Sequence, residues 1–254
     1  MNRDVVRQWL VVAAVLVTII VNALANILPL NGITTGEISD RFPVYFVPAG
    51  YVFAIWGVIY LVAFAVYQVL PAQRDNPRLR AASWPFLVSC LANIAWLFLW
   101  HYQQFVWTIL AMGILLAALI AIYLLLAAGG EGVPPAERWL ARLPFSIYSG
   151  WVSVATIANA SDVLYFIGWK GWGIPPAVWA VAMLVIAACL TWAMALTRGD
   201  WAYGLVIIWA FVGIAVKQAR APLVANAALL LAGACAAVVA LGPILRSRQR
   251  SQGA

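Results

Sequence analysis

Eight apolar runs, separated by short polar or charged segments, set the terms for any fold of this chain. They are Trp9–Leu30, Pro48–Leu70, Trp84–Trp100, Phe105–Ala128, Leu143–Ile167, Pro176–Leu196, Trp201–Val216 and Pro222–Leu245. A helix needs about 20 apolar residues to cross a hydrocarbon layer ~30 Å thick, and most of these runs reach that length. Soluble domains carry roughly 25% charged residues, whereas here 9% are charged and 66% hydrophobic. A soluble globule has too little polar surface in such a composition to cover itself. The expected fold is an all-α, polytopic transmembrane bundle of about eight helices. The seventh run is short. The third and fourth are separated only by His101-Tyr102-Gln103-Gln104, which predicts a tight helical hairpin.

Charge placement gives an orientation. With the N-terminus in the cytoplasm, the inner segments hold Arg3, Arg7, Arg74, Arg78, Arg80, Arg138, Arg142, Arg198, Arg246, Arg248 and Arg250. The outer segments hold Arg41, Lys170, Lys217 and Arg220. Cytoplasmic loops retain positive charge, so both termini are expected inside, in a bacterial plasma membrane. The net charge of +7 therefore speaks for membrane orientation and not for a nucleic-acid partner. Ala23-Leu24-Ala25 resembles a leader cleavage site, but a leader core is about 7–15 residues. This run is longer, and a retained span is expected.

Chemistry-bearing residues are sparse. No phosphate loop, metalloprotease motif or Cys/His cluster occurs, and Cys90, Cys189 and Cys235 sit singly in apolar runs. No catalytic residue or metal ligand is assigned, and enzymatic activity is not the leading expectation. His101, the only histidine, is expected to be a solvated or interfacial side chain at the hairpin tip. Asp162 is the main ionisable group within a span. Ion-coupled pumps usually need several such groups, which argues against an ion-driven transporter.

Aromatic and amide residues are more telling. Phe53, Trp56, Tyr60, Phe64 and Tyr67 recur every three or four residues, as do Asn93, Trp96 and Trp100, and Tyr148, Trp151, Ala155, Asn159 and Asp162. Each set falls on one face of an α-helix. An amide in hydrocarbon is costly unless paired, so Asn93 and Asn159 are expected to point inward. Three aromatic faces carrying a few polar groups suit a flat, largely apolar ligand, although ordinary packing produces such stripes too. Trp9, Trp84, Trp139, Trp169, Trp172 and Trp201 lie near span ends and suit interfacial anchoring.

Three segments resemble one family. Val47-Pro-Ala-Gly-Tyr-Val-Phe-Ala-Ile-Trp-Gly-Val-Ile-Tyr60 is similar to the Pro-Pro-Gly…Trp-Thr…Leu-Tyr signature of the tryptophan-rich sensory protein, or translocator protein (TspO), family. Asn93-Ile-Ala-Trp96 resembles its Leu-Asn-x-x-Trp-Ser motif, and the stretch from Leu143 to Asn159 resembles its Pro-Tyr-x-x-Trp-x-x-Phe-Ala-Thr-x-Leu-Asn motif. The resemblance covers roughly residues 1–170, the first five spans. It implies a five-helix membrane module that binds porphyrin or haem and, in some members, sterols. It also implies that Trp56 and Trp151 line the tetrapyrrole pocket, that Asn93 and Asn159 are its polar positions, that Pro48 and Pro144 shape helices, and that Asn31–Val44 is a lid loop. Two departures stand out. The family's Trp-Thr-Pro-Pro is Tyr45-Phe-Val-Pro48 here, and the hydroxyl after Trp96 is replaced by Leu97.

The expected organisation is a ligand-binding module over residues 1–170 and a three-span extension with a basic tail over 171–254. Val163, Tyr165 and Lys170 fit a proposed cholesterol-contact pattern of low specificity and fit an interfacial belt as well. The expected function is binding of a tetrapyrrole or similar flat hydrophobic ligand, for sensing, trafficking or disposal. The lipid bilayer and that ligand are the expected partners. The alternative is a small membrane transporter or lipid-modifying enzyme. On the eighth span, Ala228, Ala232, Ala236 and Ala240 are expected to face another helix, within the chain or across a homodimer, because small residues let helices approach closely.

Overall fold

A computed structural model describes residues 3–28, 30–57, 59, 61–127 and 132–252. Among them there is no strand, and the chain forms an all-α fold. The α-helices are α1 (Arg3–Ile27), α2 (Thr35–Ser39), α3 (Leu61–Val69), α4 (Pro77–His101), α5 (Phe105–Ala127), α6 (Pro135–Glu137), α7 (Leu143–Phe166), α8 (Pro176–Ala193), α9 (Trp201–Lys217) and α10 (Pro222–Gln252). Five segments are long and apolar enough to cross a membrane: Arg3–Gly32, Pro77–His101, Phe105–Ala127, Pro176–Arg198 and Pro222–Gly242. Trp201–Lys217 is apolar but shorter. Helix α7 has 24 residues but carries Ser146, Ser149, Ser153, Asn159 and Asp162 along its length.

The chain forms two compact units, one of residues 1–41 and 57–152, the other of residues 42–56 and 153–254. They interleave in sequence, which is a different partition from the chain-order division expected at residue 170.

In the first unit, α1 runs beside α4 in the same direction. Arg7 donates to the Ser83 hydroxyl at 2.8 Å near one end, and Asn22 reaches Asn93 further along. The end of α3 meets the start of α1, with the Gln68 amide donating to the Gln8 carbonyl at 2.9 Å. Helices α4 and α5 form the expected hairpin. Gln103 takes φ 57°, and the Gln104 N–H donates back to the Leu99 carbonyl at 2.8 Å, which closes the end of α4. Phe64, Phe86 and Phe145, from α3, α4 and α7, are fully buried with ring centroids 4.9–5.7 Å apart.

In the second unit, Phe46, Val154, Leu184, Ile207, Phe211, Ile214 and Val224 share one core. Helix α10 crosses its neighbours closely. A Cβ on Gly204 would stand 2.5 Å from Val239 Cγ2 and 3.3 Å from Thr191 Cγ2, and one on Gly242 would stand 3.5 Å from the Ala195 carbonyl. The expected alanine stripe needs correction here. Ala228 and Ala232 are buried, but Ala236 and Ala240 are exposed. A step of four residues overshoots the 3.6-residue turn, so a strict four-residue stripe walks off its face. The buried line is Val224, Ala228, Ala232, Cys235 and Gly242, spaced in threes, fours and their sums.

The second expected span is not one α-helix. Residues Gly50–Gly57 form a 3-10 helix, which lies in the second unit up to Trp56, and α3 follows from Leu61 in the first. The cause is local. The Ala49 N–H donates to the Gly213 carbonyl of α9 at 3.1 Å, outside its own helix, while the Val52 N–H closes a short turn on the Ala49 carbonyl at 2.9 Å. The Trp209 indole N–H donates to the Val52 carbonyl at 3.3 Å, and Tyr51 packs edge-on against Trp209. Phe53 therefore lies in a stretch wound at three residues per turn, while Phe64 and Tyr67 lie in α3.

Candidate functional site

A polar relay links three helices inside the first unit. On α1, the Asn22 amide donates to the Thr18 carbonyl at 2.9 Å and to Asn93 Oδ1 at 2.8 Å. On α4, Asn93 Nδ2 donates to the Tyr148 hydroxyl of α7 at 3.3 Å. Cys90, one turn before Asn93, lies within hydrogen-bonding reach of Thr18. Asn93, Tyr148 and Trp151 are all buried. Asn93 therefore points inward and meets Tyr148, as the cost of an amide in hydrocarbon requires. Asn22 was not anticipated. Its signal is the Thr18–Asn22 pair, four apart in an otherwise apolar run, which places two polar groups on one helix face.

Trp96 and Trp100 stack at 5.4 Å with their planes 17° apart, Trp96 half-buried and Trp100 buried. The loop after α1 is pinned beside them. The Trp100 indole donates to the Thr35 carbonyl at 3.2 Å, and the Asn31 amide donates to the His101 carbonyl at 3.1 Å. Asn31 adopts φ 57°, a left-handed conformation that Asn tolerates better than most residues. Short α2 is held by a capping box, in which the Glu37 N–H donates to the Thr34 hydroxyl and Glu37 accepts from the Thr34 N–H at 2.8 Å. These Thr34 hydrogen bonds hold the Glu37 carboxyl below its ordinary pKa.

His101 differs from expectation. It is fully buried, with Nδ1 2.8 Å from the Leu97 carbonyl and Nε2 3.5 Å from the Thr35 hydroxyl. The returning loop covers it, so it is not a solvated side chain at the hairpin tip.

In the second unit, Asn159 and Asp162 of α7 are buried. Asp162 Oδ1 has no hydrogen-bond partner among the described residues, and the charge that reaches it comes from Lys217 of α9. Nearby, Gln218 donates to the Val44 carbonyl at 3.3 Å, and Phe42 lies edge-on to Tyr165. Tyr203 donates to the Ser153 hydroxyl at 2.9 Å. Phe53 is half-buried. Val163 is buried, whereas Tyr165 and Lys170 are exposed, so these three do not line one exposed strip. Tyr60 and the side chain of Trp56 lie outside the described residues. Trp9, Trp84, Trp139, Trp172 and Trp201 are exposed, as anchoring at a membrane interface requires. No group of three or more His, Cys, Asp or Glu side chains able to hold a metal occurs among the described residues.

Long apolar helices, exposed tryptophans and polar groups paired inside the helices define an integral, polytopic α-helical membrane protein. The chain belongs to the TSPO-like protein family, whose model matches residues 8–241. The match continues past residue 170, so the three C-terminal spans, expected to lie outside the family pattern, fall within it. No significant match was found among curated proteins or solved structures.

Proposed function

We propose that the protein binds a flat hydrophobic ligand of tetrapyrrole type, porphyrin or haem, among its membrane helices, for sensing, trafficking or disposal, with both termini in the cytoplasm. The observation that carries this reading is the buried Asn22–Asn93–Tyr148 relay beside the stacked Trp96–Trp100 pair. An aromatic plane offers a face to a conjugated macrocycle, and the amides offer donors and acceptors to its polar atoms. The motif position Trp151, buried one turn after Tyr148 on α7, joins this set through the family resemblance.

Polar residues between membrane helices also serve as packing glue, and the test separates the two roles. Protoporphyrin is titrated into the purified full-length protein in detergent, with tryptophan quenching as readout. Trp96→Ala is expected to weaken binding by about 1–3 kcal/mol, the scale of one stacking aromatic. Asn93→Ala is expected to weaken binding as well. Trp84→Ala, which removes an exposed anchor on the same helix, is expected to bind like the parent. If Trp96→Ala and Asn93→Ala bind like the parent while only the melting temperature moves, the relay is packing glue and the proposal fails.

A further inference from the structure

Three of the chain's 14 tryptophans meet where α7 ends and α8 begins, within the second unit. Trp169 and Trp172 lie in the connection between the two helices, and Trp179 lies in the first turn of α8. Centroid to centroid, Trp169 stands 5.5 Å from Trp172 and 5.4 Å from Trp179, and Trp172 stands 5.8 Å from Trp179. The ring planes are inclined to one another by 54–81°. The relay of the first unit uses none of these rings.

The backbone is wound to hold them there. Gly171, Trp172 and Gly173 take φ 62°, 52° and 80° in succession. The Gly171 carbonyl accepts from the Trp179 indole N–H at 3.0 Å, and a Cβ on Gly171 would stand 3.1 Å from that same nitrogen. Conformation and space both call for glycine at this position. Trp172 has no such freedom, because left-handed backbone is unfavourable for a residue with a bulky side chain. Burial does not offset the strain, since Trp172 is 80% exposed. Anchoring at a membrane interface does not require it either. The exposed anchors Trp9, Trp84 and Trp201 sit on α1, α4 and α9 without a positive φ. Strain of this kind collects at ligand clamps.

The chemistry of the cluster indicates the ligand. The face of an indole is negative and attracts a cation within about 6 Å of the ring centroid. Centroids this close leave no room for a ligand between the rings. An alkylammonium resting on the cluster, however, comes within that distance of all three centroids at once. Trp172 offers an open ring for it, and Trp169 and Trp179 are half-buried beneath. Lys170, exposed and placed between Trp169 and Trp172 in the chain, sets a positive charge alongside. That charge repels a lone cation but suits a molecule whose ammonium is followed closely by an anion. A zwitterionic phospholipid headgroup has this order of charges. Exposed indoles and a lysine at a span end also lie at the headgroup layer.

We propose that Trp169, Trp172 and Trp179 form a binding site for the alkylammonium end of a zwitterionic phospholipid headgroup, with Lys170 meeting its phosphate. The bound lipid fixes the α7–α8 connection at the membrane surface.

The test uses the full-length protein purified in a maltoside detergent. Short-chain phosphatidylcholine, short-chain phosphatidylglycerol and choline chloride are added in separate series, and the melting temperature is followed. Phosphatidylcholine is expected to raise it saturably. Phosphatidylglycerol shares the phosphate and the chains but has no ammonium, and it is expected to have little effect at equal concentration, as is choline chloride. Trp172→Gly suits the left-handed backbone. It is expected to leave the melting temperature without lipid about unchanged and to weaken the phosphatidylcholine response about tenfold, the scale of a lost cation–π contact. Trp172→Phe, which keeps an aromatic face, is expected to retain part of the response. Lys170→Gln is expected to weaken it about twofold to fivefold, the scale of an exposed charge pair. Trp84→Ala, which removes an exposed anchor from α4, is expected to retain all of it. An equal shift with phosphatidylglycerol would make the cluster an unselective interfacial anchor and overturn the proposal. An equal shift with choline chloride would assign the site to a free cation, and an undiminished response in Trp172→Gly would place the lipid elsewhere; either result would overturn it too.

Discussion

Asp162 is buried on α7 with Oδ1 unsatisfied by any described residue, and Lys217 supplies the opposing field. A carboxylate in that setting loses hydration that one half-buried ammonium only partly replaces. Groups held at such cost tend to serve function and not stability. Asp162→Leu keeps roughly the size and replaces the unsatisfied group by an apolar one, so it is expected to stabilise the protein by roughly 1–3 kcal/mol, the scale of an unsatisfied buried polar group. Thermal melts of parent and variant in detergent check this, and a lower melting temperature for the variant would mean that Asp162 is a structural ion-pair partner. Asp162 was legible as an intramembrane ionisable group, and Asn93 as an amide that had to point inward. Their surroundings were not. His101 reads as a solvated tip because nothing near it in sequence covers it; its cover, Asn31 and Thr35, arrives from about 70 residues away. Asn22 was passed over because one amide barely perturbs the hydrophobicity of a long run, though its partner lies on another helix.

Elements show a different limit. Apolar runs locate helices because spanning a bilayer demands them, and α1, α4, α5, α8 and α10 emerge close to their expected positions. Run length does not reveal where a helix changes type. The stretch Pro48–Leu70 is almost wholly apolar, yet its first part winds as a 3-10 helix tied to α9 through Ala49, Val52 and Trp209. Gly213 makes that docking feasible. A Cβ there would lie 2.1 Å from Val52 Cγ2 and 3.2 Å from Pro48 Cβ. Val52 is fully buried and branched at Cβ, so it has little room to rotate away. Gly213→Ala is therefore expected to destabilise the protein by about 1–3 kcal/mol, the usual cost of overpacking, despite the better helix propensity of Ala. Adding Val52→Ala should recover part of that loss. Detergent melts of the two single variants and the double variant give the coupling directly. A neutral Gly213→Ala, or strictly additive losses, would show that the 3-10 stretch is not seated on Gly213. The α10 seam teaches the same lesson, since counting alanines in fours ignored the 3.6-residue turn, while the buried line follows it through Cys235 to Gly242.

At the scale of the whole molecule, composition and eight apolar runs were enough to read an all-α membrane protein, and three short motifs were enough to read its family, which the match over residues 8–241 bears out. The interleaving of two compact units was not legible, because nothing in the sequence says that residues 42–56 pack with a unit whose other members begin at residue 153. Function rests on whether this helical protein takes up a flat conjugated molecule at a defined place. The most direct measurement is an absorbance titration of the full-length, detergent-purified protein with protoporphyrin, run against the same detergent without protein. A Soret band that shifts and saturates at a fixed stoichiometry is the predicted result. Uptake that rises linearly without saturation and matches the empty micelles would contradict tetrapyrrole binding.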